Sequence, residues 1–291
     1  MTLLISIMRW MTLLALFCGL PSLSWAMGGP SEESRYVERH GAMPFKASYL
    51  NPGGDLTLSM DWLSRPEERI MALTFDDGPD PRDRAIAALL KQHHISATFF
   101  YIGSKAKAMP GMVREILADR HTIGYHSYRH SMMSGLSSAR LAADFREGRA
   151  VMADLGVPLT WFRPPYGDFN PAVVQAARAC GMETILWTID SRDWAGIDGP
   201  AIAKNVIRRF HPGAILLFHS IHSATLQALP EVVAAAEKAH YRLVSLDEWR
   251  RIVKTAQCRV PGQSCATPPP VEGVVPADPL STGFPLVDIK P

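Results

Sequence analysis

Two adjacent carboxylates, Asp76 and Asp77, end a short apolar run and are followed by Gly78 and Pro79. An apolar run that ends in Gly and Pro is typical of a buried strand leading into a turn. Side chains alternate along a strand, but a glycine after the strand end lets two neighbours converge on one pocket. One carboxylate could then bind a metal ion while the other transfers protons. Taken alone, the segment is more typical of an ordinary Asp-Gly-Pro turn.

Two histidines, His126 and His130, lie four residues apart. If the chain is helical there, both imidazoles face the same way and can bind one cation. Together with Asp77 they supply two neutral nitrogens and one anionic oxygen. This is the common ligand set of a catalytic zinc ion that keeps a fourth position for water. Scattered histidines often show the same spacing, so the prediction of a zinc-type site depends on Asp77 lying nearby.

An arginine, Arg163, precedes the rigid turn 164–167, which contains Pro165 and Tyr166. The turn would fix the guanidinium and direct backbone amides near Tyr166 into the site. In that position Arg163 could hold Asp76 in its ionised form. The alternative is a surface arginine on a proline turn.

A third histidine, His219, ends an apolar run. A buried histidine is costly unless it is hydrogen-bonded or functional. Asp190 or Asp193 could pair with His219 and keep it protonated as a general acid. Trp194, beside Asp193, offers a flat face to a sugar ring, although core packing explains a tryptophan there equally well.

The elements that must position these residues are strands and helices in alternation. The predicted strands are 70–75, 97–102, 122–126, 159–163, 184–189, 214–219 and 241–246. Helical periodicity covers 83–93, 112–120, 138–155, 171–179, 200–210 and 226–239. This alternation permits a closed parallel barrel or an open doubly wound sheet. The polar residues fall at the C-terminal ends of strands, and no glycine-rich phosphate loop opens the first helix. We therefore predict an α/β fold, a (β/α) barrel of about seven parallel strands with helices outside.

Five segments resemble, in order, the motifs of the polysaccharide deacetylase family, also described as the NodB homology domain and as carbohydrate esterase family 4. They are TFDDGP at 74–79, HSYRH at 126–130, RPPYG at 163–167, DSRDW at 190–194 and LLFHS at 216–220. The resemblance covers about residues 66–255. It implies a distorted (β/α) barrel and a metal-dependent deacetylase. It also implies a role for seven residues: Asp77, His126 and His130 as metal ligands, Asp76 with its partner Arg163 as the base, and His219 tuned by Asp193 as the acid.

The predicted function is hydrolysis of a carbon–nitrogen bond other than a peptide bond. A water molecule on the metal attacks the acetyl group of an N-acetylated sugar in peptidoglycan, an exopolysaccharide or a chitin-like glycan, with Asp76 as base and His219 as acid. Tyr166, Trp194 and Pro165 are predicted to contact this polysaccharide substrate. The alternatives are an O-acetyl esterase or N-deformylase with the same site, or a non-catalytic saccharide-binding protein.

The two ends of the chain differ in composition from residues 66–255. Residues 1–26 combine one charged residue, Arg9, an apolar run at 11–20 and small residues at 24 and 26, which is typical of a cleaved signal peptide. We expect a periplasmic or secreted protein without stable membrane insertion after cleavage; the alternative is a membrane anchor from an uncleaved N-terminal segment. Residues 27–65 are a lead-in, and 256–291 a Pro-rich, disordered tail in which Cys258 and Cys265 could close a small loop.

The overall composition is that of a globular protein with one large core. Of the 291 residues, 47% are hydrophobic and 20% charged, and the formal net charge is +2. No cluster of Lys and Arg marks a nucleic-acid-binding face, so we expect no nucleic-acid partner.

Overall fold

The computed structural model describes residues 65–258. The predicted signal peptide, almost all of the lead-in, most of the tail and Cys265 lie outside the described residues. The strands are β1 Ile70–Gly78, β2 Thr98–Tyr101, β3 Thr122–Tyr125, β4 Trp161–Phe162, β5 Glu183–Thr184, β6 Ile189–Asp190, β7 Ile215–His219 and β8 Arg242–Val244. The α-helices are α1 Asp83–Gln92, α2 Gly103–Ala108, α3 Pro110–Ala118, α4 Ser138–Asp154, α5 Pro171–Ala179, α6 Gly199–Ile207, α7 Ser223–Lys238 and α8 Leu246–Gln257.

The strands form one parallel sheet in the order β5-β4-β3-β2-β1-β7-β6, and β8 pairs with the first residues of β1. Within residues 65–258 no ladder joins β5 to β6, although these two strands are neighbours in sequence. The sheet is therefore a curled, incomplete barrel with helices around it. This confirms the predicted distorted (β/α) barrel.

The central strand β1 is buried along its whole length and has a different hydrophobic cluster on each face. Leu73 and Phe75 belong to the cluster between the sheet and the surrounding helices. Ile70 and Ala72 belong to the cluster inside the barrel, which also contains Trp249 of α8. Because side chains alternate along a strand, Asp76 continues the inward-facing set. A buried carboxylate therefore lies near the end of a strand whose first six residues are apolar except for Thr74.

Two details of the predicted elements were wrong. The predicted strand 184–189 is two short strands, because the chain changes its partner along this stretch. The amide of Ile185 donates to Phe162 on β4, whereas that of Thr188 donates to Ile215 on β7. Helices α2 and α8 were not predicted. The N-cap of α8 is Ser245, whose side chain accepts from the amide of Glu248, so its Ser-x-x-Glu pattern was available in the sequence.

Helix α8 closes the barrel at the end opposite the C-terminal strand ends. Its Trp249 is buried and its indole nitrogen donates to the carbonyl of Gly213 at 2.9 Å. In the described part of the chain, no helix has both the length and the apolar character needed to cross a membrane.

Candidate active site

The structure brings seven of the predicted site residues together at the C-terminal ends of the strands. This edge is where a (β/α) barrel collects side chains from several strands. All seven are buried or nearly so, with the exception of the half-buried His130. They are Asp76, Asp77, His126, His130, Arg163, Asp193 and His219.

Asp77, His126 and His130 converge on one point, and we call them the ligand cluster. Asp77 Oδ1 lies 3.0 Å from His130 Nε2 and 3.4 Å from His126 Nε2. One donor atom from each residue lies within 4.8 Å of the other two. The buried Oδ1 of Asp77 makes no hydrogen bond of normal geometry. The chemistry and spacing of these donors fit a divalent metal ion such as zinc.

The histidines of the ligand cluster reach the same point from a loop, and not from the helix that was the condition for their convergence in the sequence analysis. Ser127 and His130 have φ values of 59° and 57°, in the left-handed region. Two left-handed residues turn the chain back on itself, which is how residues four apart converge without a helix.

One hydrogen bond decides which nitrogen of His126 faces the cluster. His126 Nδ1 lies 2.7 Å from the carbonyl oxygen of Arg163. A carbonyl can only accept, so Nδ1 carries a hydrogen and Nε2 is the nitrogen that faces the ligand cluster. Burial would lower the pKa of His126, but the carboxylates of Asp76 and Asp77 raise it. Burial would likewise raise the pKa of Asp77, but the two imidazoles hold it well below its usual range.

Asp76 forms a buried ion pair with Arg163. Arg163 Nη1 donates to Asp76 Oδ1 and to Thr74 Oγ1, both at 2.8 Å, while Nη2 donates to the carbonyl of Leu186 at 3.0 Å. The guanidinium also lies 4.2 Å from the ring centroid of Phe100. The surface-arginine alternative is therefore wrong, because Arg163 is fully buried. Burial lowers the pKa of Arg163, which the charge of Asp76 opposes.

His219 pairs with Asp193 rather than with Asp190, and we call this the acid pair. The His219 ring donates from Nδ1 to Asp193 Oδ1 at 2.7 Å, and its backbone amide donates to Oδ2 at 2.7 Å. Thr225 Oγ1 donates to the same Oδ2 at 2.5 Å. Burial would raise the pKa of Asp193, but the charge and hydrogen bonds of His219 lower it. Asp190 instead accepts from the amide of Arg192 and the indole of Trp194.

The three residues predicted to contact substrate differ in their exposure. Tyr166 is half-buried, and its ring meets the edge of His130 with a centroid distance of 4.6 Å. Trp194 is also half-buried and outside both hydrophobic clusters. Pro165 is buried within the turn. Their contact with a sugar stays a prediction.

Two features were missed or misjudged from the sequence. Thr225 contacts Asp193 from 32 residues away in the chain, and no motif in the sequence signals that contact. His121, which the sequence analysis did not single out, is buried, and its Nδ1 accepts from the amide of Ala97 at 3.0 Å. Burial lowers the pKa of His121 to about 4.

Comparison with known proteins decides the family. The family model for polysaccharide deacetylases matches residues 64–185. A protein of Bacillus cereus named peptidoglycan-N-acetylglucosamine deacetylase is 35% identical over 208 residues, which are 69% of this chain and 96% of that protein. The chain belongs to the polysaccharide deacetylase family. It is thereby a hydrolase of carbon–nitrogen bonds other than peptide bonds, as the sequence predicted.

Other members of the polysaccharide deacetylase family share the fold over a similar length. The structure of peptidoglycan deacetylase PdaC from Bacillus subtilis has a TM-score of 0.61 at 27% identity, covering 66% of this chain and 94% of that one. A structure from Bacillus anthracis, described as a family 4 carbohydrate esterase pseudoenzyme, has a TM-score of 0.60 at 30% identity, covering 64% and 66%. The chain spans 38% of PgdA of Listeria monocytogenes, a deacetylase 33% identical over 180 residues.

Proposed function

We propose that the protein is a divalent-metal-dependent deacetylase that removes acetyl groups from N-acetylated amino sugars of a polysaccharide. Peptidoglycan is the first substrate to test, because the Bacillus cereus relative is named for that activity. The observation that carries the proposal is the position of two opposite proton-transfer groups beside the ligand cluster. Asp76 is paired with Arg163 at 2.8 Å, and His219 with Asp193 at 2.7 Å.

The base in this proposal is Asp76. Its Oδ1 is held by Arg163, and its Oδ2 lies 3.8 Å from His126 Nε2, beside the ligand cluster. The ion pair with Arg163 therefore orients the carboxylate of Asp76, which can accept a proton from an attacking water molecule. When bound by the ligand cluster, a divalent ion such as zinc supplies a Lewis acid that polarises the acetyl carbonyl and lowers the pKa of water.

The acid in this proposal is His219. Its Nδ1 is held by Asp193, which assigns proton donation to Nε2 and stabilises the imidazolium form. An amine is a poor leaving group as an anion, so it must receive a proton as the carbon–nitrogen bond breaks. A backbone amide near Tyr166 is the proposed donor to the tetrahedral oxyanion, and one such donor contributes about 3 kcal/mol.

Measurement of acetate release tests this function and separates it from its alternatives. The purified protein would be incubated with peptidoglycan fragments, N-acetylglucosamine oligomers, acetylated xylan and formylated amino sugars, with Asp76→Asn as the matched control. We expect acetate from the N-acetylated glycans and none from the variant. Release of acetate from acetylated xylan alone would support an O-acetyl esterase. Release of formate from the formylated amino sugars would support an N-deformylase.

One similar structure is described as a pseudoenzyme. In this chain Asp76 and His219 are both present, each with its charged partner, which supports catalysis. Binding of these glycans without release of acetate or formate, in protein shown to contain zinc, would contradict the proposed function.

A further inference from the structure

We infer that two tyrosine–aspartate pairs, the first buried and the second half-buried at its aspartate, position the two loops that carry the proposed metal ligands. Tyr101, at the end of β2, donates from its hydroxyl to Asp83 Oδ2 at 2.7 Å. Tyr125, at the end of β3, donates to Asp144 Oδ1, also at 2.7 Å. The two tyrosines are register partners in the β2–β3 ladder. We call these the first and the second bracing pair.

The first bracing pair holds the chain that follows Asp77. Asp83 Oδ2 accepts from the backbone amide of Asp80 at 3.0 Å, in addition to the hydroxyl of Tyr101. Gly78 passes so close that a Cβ atom there would lie 2.4 Å from the Tyr101 ring and 3.0 Å from Asp83 Oδ2. The aspartate and the tyrosine are both fully buried. The exit of β1, and with it the left-handed backbone of Asp77 at φ 72°, is therefore fixed from one side by this pair.

The second bracing pair holds the loop between the two histidines. Both carboxylate oxygens of Asp144 accept from the backbone amide of Tyr128, at 3.1 and 3.0 Å. Tyr128 stands midway between His126 and His130, next to the left-handed Ser127. Helix α4 can approach because residue 148 is glycine; a Cβ there would lie 2.2 Å from the Tyr125 ring.

The start of α2 supports the same loop from another side. The amides of Gly103 and Ser104 donate to the carbonyls of Ser127 and Tyr128 at 2.9 and 3.0 Å. These are contacts between backbone groups, so a substitution in the second bracing pair leaves them in place. The contribution of the pair can therefore be measured without removing every restraint on the loop.

The two bracing pairs share one design. In each, a carboxylate accepts from a strand-end tyrosine and from a backbone amide two or three residues away from a ligand residue. None of the hydrogen bonds described for Asp83 and Asp144 joins them to the ligand cluster, so they are positioning residues. Residues that orient metal ligands in this way typically change metal affinity by about 10- to 100-fold when substituted.

Zinc affinity tests the inference, which rests on the proposed metal site. Tyr101→Phe and Tyr125→Phe each remove one hydroxyl from the full-length protein, and Tyr241→Phe makes the same change before β8, at the opposite end of the barrel. Zinc binding would be measured by competition with a chromophoric chelator, at a temperature where thermal unfolding shows all proteins folded. We expect about 10-fold weaker zinc binding for the first two variants and no change for Tyr241→Phe.

Asp83→Asn and Asp144→Asn provide a second pair of variants if the phenylalanine variants do not fold. The amide keeps the size of the side chain and one acceptor oxygen but loses the charge, so zinc binding is again expected to weaken. Wild-type affinity in the folded variants of both bracing pairs would overturn the inference and leave the metal site intact. Failure of the unsubstituted protein to bind zinc would overturn the metal site and the inference together.

Discussion

The acid pair and the ligand cluster lie at the same edge of the barrel but differ in how fully the protein satisfies their polar atoms. Each oxygen of Asp193 accepts at least one hydrogen bond, from the ring and amide of His219 and from Thr225. In the ligand cluster, the buried Oδ1 of Asp77 faces two imidazoles without a hydrogen bond of normal geometry. A buried polar atom of this kind is costly unless something else satisfies it.

This difference indicates that contacts within the protein satisfy the polar atoms of the acid pair, whereas a bound cation would satisfy those of the ligand cluster. Substitutions in the two regions should therefore separate cleanly. Changes in the ligand cluster should act on metal affinity, and changes in the acid pair should act on turnover or on the pH dependence of stability.

The largest effect is expected from Asp77→Asn. The substitution keeps the size of the side chain but removes the only anionic ligand of the cluster, so zinc binding should weaken by more than the roughly 100-fold seen for outer residues. Acetate release at a fixed zinc concentration should fall to background. Asp119→Asn, at a half-buried position paired with Lys91, is the matched control. Wild-type zinc affinity in Asp77→Asn would show that the ligand cluster is not the zinc site.

His219→Ala, in the acid pair, should have the opposite pattern: turnover should fall while zinc affinity is retained. Loss of a general acid typically costs about 10²- to 10⁴-fold in turnover, and we expect kcat to fall by that amount. Zinc affinity should stay within a few-fold of wild type, since His219 is not one of the three proposed ligands and acts on Asp77 through its charge, which lowers the pKa of Asp77. The control is His211→Ala, at the other end of β7. Undiminished turnover in His219→Ala would show that another group protonates the amine.

Much of this site was predictable because apolar runs that end in a charged residue place that residue at a strand end. Asp76, Arg163 and His219 were located in this way, and parallel strands bring their C-terminal ends to one edge. The roles of the residues came from their order in the chain, which matches five family motifs. Local sequence patterns were therefore sufficient to predict the position of a residue that is set by the strand on which it lies.

The remaining features depend on contacts between residues far apart in sequence. The left-handed residues Ser127 and His130 lie on either side of Tyr128, whose backbone amide donates a hydrogen bond to Asp144 on a later helix. Thr225 reaches Asp193 across 32 residues, and Tyr101 reaches Asp83 from the next strand. Neither residue type nor periodicity reports such contacts, because one hydrogen bond can be made from many positions.

The smallest effect, and the one that tests the acid pair most directly, concerns the pH dependence of stability. The pKa of Asp193 is lowered in the folded protein, because the interactions with His219 outweigh burial. A carboxylate with a lowered folded pKa stabilises the protein above its unfolded pKa, about 3.9, and this contribution is lost as the pH falls through the folded pKa. In Asp193→Asn the contribution is absent at every pH.

Both proteins would be treated with chelator so that metal release does not contribute to unfolding. The free energy of unfolding should then be about 1 to 3 kcal/mol lower for Asp193→Asn than for the wild type at pH 6. The difference should shrink as the pH is lowered from 4 towards 2. The contributions of the other carboxylates to the pH dependence cancel in this comparison, because those groups titrate alike in both proteins. Two parallel curves would mean that ionised Asp193 does not stabilise the fold. The proposed difference between the two regions would then fail, because the hydrogen bonds of the acid pair would not stabilise the protein in the absence of metal.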